Sequence, residues 1–238
     1  MSPGARPDVF VGDLEAVRRR LVADVGREAG RCVAERGRFT LAVPGGSVAR
    51  VGLPALASLA LDWTRTHVFW VDERAVPRSD PRSNFRAVSD AWLTPSGAPA
   101  TSLHPMPADQ ADLAGAAGAY AREIGEVLAD PPCLDYVVLG VGPDGHVASL
   151  FPGHPALGET SRPAVAVLDA PAPPAARLTL TLPMLVGAGR VVVMALDASK
   201  APVVGAVLDG EGTALPVSMV LRQTARPLLL LDASAAAR

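Results

Sequence analysis

Phe39-Thr40-Leu41-Ala42-Val43-Pro44-Gly45-Gly46-Ser47 is a short, almost continuous apolar run that empties into a proline and two glycines. A run of this length reads as a strand, the glycines turn the chain, and an Ala/Leu-rich helix is predicted to follow to about Ala60. A strand without apolar/polar alternation has to be covered on both faces, as in a parallel sheet sandwiched between helices. The same grammar recurs twice: His67-Val68-Phe69-Trp70-Val71-Asp72 runs into Asp72-Glu73-Arg74, and Leu134–Leu139 runs into Gly140-Val141-Gly142-Pro143-Asp144-Gly145-His146.

Working outward, Leu14, Val17, Leu21, Val25 and Cys32/Val33 recur at helical spacing, which predicts a helix over 13–36 stopped by Gly37. A Pro/Ser/Arg loop (77–83) leads to a helix near 84–93. The Pro-rich stretch 95–107 reads as a surface loop, and a helix of about 109–129 follows. Strands are expected at 163–168, 177–182, 190–195 and 227–232, with a helix near 199–208. This alternation predicts an α/β fold: a mainly parallel, doubly wound (Rossmann-like) sheet with helices on both faces, as a single domain over 1–238.

Composition narrows the function. The chain has 238 residues, 49% hydrophobic and 19% charged, with a net charge of −2. That suits a packed globule and gives no basic face for a nucleic acid or membrane partner. The N-terminal segment lacks an apolar stretch of signal-peptide length and no run approaches ~20 apolar residues, so a cytoplasmic protein is expected. Cys32 and Cys133 lack metal or redox spacing and read as two small buried hydrophobes, with a disulfide left open. Lys200 is the only lysine among 22 basic residues. A point charge on a flexible stem, kept where arginine is otherwise used, suggests a need for it there.

Ligands of such sheets bind beyond the carboxyl ends of the strands, and all three polar segments sit there. Gly45-Gly46-Ser47 offers backbone N–H groups and a hydroxyl, a small anion cradle; it is equally a plain turn with Ser47 as N-cap. Asp144 and His146 flank a glycine, so the carboxylate can orient the imidazole. Arg74 can bind a phosphate or a developing oxyanion, aligned by Asp72 or Glu73, with Asn84 among further donors nearby; the alternative is an exposed charge run. Gly140–Gly145 formally fits G-x-G-x-x-G, with Asp169 downstream. Phe151-Pro152-Gly153-His154-Pro155 cuts the required helix short and argues against a dinucleotide. His67, His104 and His154 read as structural.

Val43–Ser47, Val71–Pro77 with Ser83-Asn84, Leu139–Pro152 with its Asp-Gly-His-Val-Ala-Ser-Leu-Phe-Pro string, Arg177–Pro183 and Ser199-Lys200-Ala201 together resemble the 6-phosphogluconolactonases. The resemblance runs in order from about residue 8 to 236. It implies hydrolysis of 6-phosphoglucono-1,5-lactone in the oxidative pentose phosphate pathway, without metal or cofactor. It further implies His146 as catalytic acid/base with Asp144 beside it, Asp72 and Arg74 lining the pocket, and Gly45, Gly46, Ser47 and Lys200 holding the phosphate. Many relatives continue Gly-Gly-Ser with Thr-Pro, where Val48-Ala49 stand here. The arginine supplementing Lys200 is left open among Arg74, Arg78, Arg82 and Arg162. The expected partner is the small sugar-phosphate lactone alone, on a monomer or small homo-oligomer. A glucosamine-6-phosphate deaminase, the nearest rival, needs a carboxylate soon after the histidine, and Ser149–Pro152 offers none. A non-catalytic sugar-phosphate-binding regulator would need an attached, basic DNA-binding module, for which the segment before the first helix has no room.

Overall fold

The structure, a computed structural model, describes residues 7–128 and 131–237. Its strands are β1 (Asp8–Gly12), β2 (Phe39–Val43), β3 (Thr66–Trp70), β4 (Asp72–Arg74), β5 (Leu103–His104), β6 (Tyr136–Gly140), β7 (Ala164–Val167), β8 (Arg177–Leu180), β9 (Val191–Ala195) and β10 (Pro227–Asp232). The α-helices are α1 (Leu14–Arg36), α2 (Asn84–Val88), α3 (Leu113–Leu128), α4 (Leu182–Val186), α5 (Ala201–Asp209) and α6 (Pro216–Gln223). Ala129, the last residue of the helix predicted over 109–129, lies outside the described residues, as do residues 1–6 and 238.

Seven strands form one parallel sheet in the order β1-β10-β9-β6-β2-β3-β5, the Rossmann-like arrangement expected. Every residue of β2 and of β9 is buried, as helix cover on both faces requires. The chain leaves β2 toward β3 and leaves β6 toward β9, in opposite directions along the sheet. A crevice therefore opens where the two neighbours diverge.

α1 shows why its sequence is helical. Asp13 accepts a hydrogen bond from the Ala16 N–H, Gly37 ends the helix at φ 74°, and Val17, Leu21, Val25 and Cys32 form the buried stripe. The stripe also carries two carboxylates to the amino edge of the sheet. Asp24 takes hydrogen bonds from Arg190 (3.1 Å) and from the Tyr136 hydroxyl (2.8 Å); Glu28 takes two from Arg226 (2.6 and 2.9 Å). The Arg226 bonds hold the Glu28 carboxyl down at about 2. The amino edge is thus locked by charge, and the carboxyl edge is left to loops.

The structure revises several expectations. Asp72-Glu73-Arg74 is not charge trailing from β3. It is β4, part of a second, antiparallel sheet in the order β4-β8-β7. Val71 is the hand-over: its N–H donates to Val43 of the main sheet, and its carbonyl accepts from Leu180 of the small one. The runs predicted at 163–168 and 177–182 are strands, but of this small sheet. After Gly-Gly-Ser the chain is helical without being α-helical, a π turn over Val48–Gly52 and a 3₁₀ segment over Leu53–Ser58. Pro54 supplies no N–H there. β1, β5, α4 and α6 were not anticipated. Cys32 is buried as expected, Cys133 is exposed, and both are free thiols. Among the described residues no helix is long and apolar enough to cross a membrane.

Candidate active site

The β2–β6 divergence holds an open crevice of about 190 Å³. Gly45, Gly46, Ser47, Asp72, Arg74, Asn84, His146 and Lys200 all line it, so the structure brings together every residue expected there; Asp144 stands behind His146.

Close backbone packing assembles the walls. Gly46 takes φ +65°, and Ser47 makes no side-chain cap, so the turn is not the plain N-capped one. Val48 packs where Gly140 lacks a side chain: a Cβ there would lie 3.2 Å from Val48. The two glycine turns are thereby pressed together. Gly45 is pinned differently, since a Cβ would fall 1.8 Å from the Asn84 carbonyl oxygen.

The Gly145 turn (φ +85°) sets His146 over Asp144, whose Oδ1 lies 2.5 Å from the imidazole Nδ1. An ionised carboxylate only accepts, so the proton of the neutral imidazole belongs on Nδ1 and the Nε2 lone pair is free. Phe151 packs against the ring at a tilt of 39° (centroids 4.6 Å apart), and the His146 side chain keeps 26% of its surface exposed. The imidazole therefore faces solvent in the crevice.

Asp72 is buried with both oxygens engaged: Oδ1 accepts from the Asn84 amide (3.0 Å) and Oδ2 from the Ser149 hydroxyl (2.7 Å). The Arg74 guanidinium donates to the Arg82 carbonyl (2.8 Å) and is aligned neither by Asp72 nor by Glu73, the two options the sequence left open. The Glu73 carboxylate instead accepts from the N–H groups of Arg74, Asn84 and Phe85 (each 2.7 Å) and from the Ser83 hydroxyl (3.0 Å). With no cation in contact, burial pushes its carboxyl pKa up, against the pull of those N–H donors. Glu73 closes the 75–82 loop and sets Arg74 and Asn84 at its two ends.

Sequence reasoning missed Arg177 as a site residue. It lines the crevice at 4% exposure, its guanidinium bonded to the Ala172 and Pro174 carbonyls and lying 5.5 Å over Phe151. Burial pushes its pKa down, Asp72 opposes this, and Arg74 adds to it. Arg74 and Arg177 face each other in the β4–β8 register. Like charges opposite each other on paired strands repel, and an anion between them would remove that cost. Of the four arginines left open, only Arg74 lines the crevice; Arg78 lies over Phe85, Arg82 pairs with Asp80 and Arg162 with Glu159. The crevice thus carries Arg74, Arg177 and Lys200 against Asp72 alone, on a chain of net charge −2. Asp169, weighed as a ribose ligand, pairs with His154 instead (2.9 Å), and His67 and His104 bond to each other away from the crevice.

Residues 12–229 match the family described as glucosamine-6-phosphate isomerases/6-phosphogluconolactonase. Among curated proteins, the 6-phosphogluconolactonase of Streptomyces coelicolor is 38% identical over 218 residues, covering 86% of this chain and 84% of its own length. That of Mycobacterium tuberculosis is 38% identical over 237 residues, covering 94% and 92%. The fold matches the 6-phosphogluconolactonase structure from Trypanosoma cruzi with a TM-score of 0.86 at 24% identity, over 99% of this chain and 98% of that one.

Proposed function

Because the chain belongs to the family of glucosamine-6-phosphate isomerases and 6-phosphogluconolactonases, we propose that it hydrolyses 6-phosphoglucono-1,5-lactone to 6-phosphogluconate, a step of the oxidative pentose phosphate pathway. The reading is carried by one observation: an imidazole backed by a carboxylate shares a crevice with three cations and the Gly-Gly-Ser turn. That combination offers a proton acceptor at one end and an anion cradle at the other.

A lactone is an ester, so the chemistry is acyl transfer to water. Neutral His146 takes a proton at Nε2 from water as the water oxygen bonds to C1. The carbonyl electron pair moves onto its oxygen, and Arg74 meets that negative charge, with Arg177 adding to the field. When the tetrahedral centre collapses, the bond from C1 to the ring oxygen breaks. The imidazolium then returns its proton to that oxygen, which becomes the C5 hydroxyl. Asp144 holds the ring in the Nδ1–H form throughout. Asp72, fixed by Ser149 and Asn84, shapes the wall beside the sugar. Lys200, the Gly45 and Gly46 backbone and Ser47 hold the phosphate, whose binding energy positions the ring.

The test follows lactone disappearance at controlled pH against the spontaneous reaction, with wild type and His146→Ala. General acid–base help of this kind contributes ~10²–10⁴-fold, so the variant should lose at least ~100-fold in kcat with a modest change in KM. Near-wild-type turnover would remove His146 from the mechanism. Ammonia release from glucosamine 6-phosphate by the same preparation would instead favour the family's isomerase branch; none is expected, since no carboxylate follows His146 before Pro152.

A further inference from the structure

Lys200 reaches the crevice from an unusual turn. Just past β9, Asp197 sits at φ 88° and ψ 154°, a region that side chains enter only under strain and that belongs essentially to glycine. Ala148 (φ 51°) is the other non-glycine with positive φ among the described residues. A glycine at 197 would make the turn without strain. What glycine lacks is the carboxylate.

That carboxylate holds the turn through Ser199, and the Asp197 backbone adds a bond to Lys200. Its Oδ1 accepts from the Ser199 N–H (2.9 Å) and from the Ser199 hydroxyl, and the Lys200 N–H donates to the Asp197 carbonyl (3.2 Å). The strained residue is anchored from behind, where its own N–H donates to Asp232 at the end of β10 (2.9 Å). Asp232 is itself fixed by the Ala235 N–H (2.7 Å) and the Ser234 hydroxyl (2.8 Å). The sheet end, through Asp232 and Asp197, thus sets the single 3₁₀ turn Ala198–Lys200 from which the only lysine of the chain enters the crevice. A lysine stem has four rotatable bonds, so the direction of its Cα–Cβ bond decides where the ammonium spends its time.

We infer that Asp197 is a positioning residue for Lys200: the protein tolerates backbone strain at 197 in exchange for a carboxylate that aims the lysine at the phosphate of the substrate. This rests on the reading of Lys200 as a phosphate ligand, and the experiment separates the two. KM, kcat and Tm are measured for Asp197→Gly, Lys200→Ala and the double variant, with the phosphorylated lactone as substrate.

Lys200→Ala should raise KM roughly tenfold or more, and Asp197→Gly roughly fivefold, with kcat moving less than KM in both. The double variant should have the KM of Lys200→Ala alone, because a residue acting through another has nothing left to do once that other is gone. Relief of strain should leave the Tm of Asp197→Gly at or above wild type, which a purely structural role would not produce. Should that variant fold poorly, Ser199→Ala removes one of the two tethers without touching residue 197 and should raise KM in the same direction by a smaller factor. An unchanged or lowered KM in Asp197→Gly or Ser199→Ala, beside a raised one in Lys200→Ala, overturns the inference alone; so does an equal Asp197→Gly effect with and without Lys200. An unchanged KM in Lys200→Ala overturns both the inference and the phosphate reading beneath it.

Discussion

Replacing Gly142 with alanine tests how tightly the imidazole is held. A Cβ at this position would lie 2.1 Å from the His146 Nδ1, 2.2 Å from its Cε1 and 2.5 Å from the Asp144 Oδ1. Ordinary contact begins at 3.4 Å, so the ring would have to move by about 1.3 Å, and the Asp144 bond cannot survive the move. A misplacement of about 1 Å can cost ~100-fold in rate, so kcat should fall by that order while KM stays near wild type. Gly142 has no positive φ, and its loop lies at the crevice rim. The loss of stability should therefore be about 1 kcal/mol, or a few degrees in Tm. Steady-state kinetics with the lactone, beside a thermal melt, give both numbers. If Gly142→Ala keeps kcat within threefold of wild type in a protein of unchanged Tm, then the Asp144–His146 bond does not set the rate and the orienting role argued for Asp144 is wrong.

Glu73→Gln keeps the shape but exchanges one accepting oxygen for an NH₂ group facing two donors. The loss of two charge-assisted bonds at a buried site should cost about 2–4 kcal/mol, lowering Tm by roughly 4–16 °C, and should raise KM as Arg74 and Asn84 loosen; a melt within 2 °C of wild type would show that the loop is closed by something else. Glu28 provides a pH test at the far edge. Its carboxyl lies near 2 when folded and near 4.5 when free, so its contribution to stability is complete above about pH 4.5 and is lost as pH falls toward 2. Glu28→Gln should therefore melt below wild type at pH 7, with the gap closing as pH falls, and a gap independent of pH would contradict the pairing with Arg226.

Much of the fold was legible because the sequence states it locally. α1 carries both of its caps and a complete buried stripe, and β2 and β6 are apolar runs ending in glycine turns. β4 was not legible: three charged residues become a strand only because β8 arrives from a hundred residues away to pair with them. β1 is an edge strand whose sole partner is β10, so its half-exposed residues carry no clear period. The site followed the same division. His146, Asp144, Gly45, Gly46 and Ser47 could be found at strand ends, where polar residues stand out against apolar runs, and Lys200 as the only lysine of the chain. Arg177 opens a strand, and only its register opposite Arg74 brings it to the crevice. One cue was available, a charged residue heading a short run that carries Leu178 and Leu180.

The hand-over at Val71 decides how this molecule can capture a ligand. That one residue is hydrogen-bonded on its amide side to the main sheet and on its carbonyl side to the small one, immediately before Asp72. The two bonds lie on either side of its own φ and ψ, so the angle between the sheets is set at those two torsions. Asp72 and Arg74 enter the crevice from the small sheet, so the turn at Val71 fixes where they stand opposite the Gly-Gly-Ser turn of the main one.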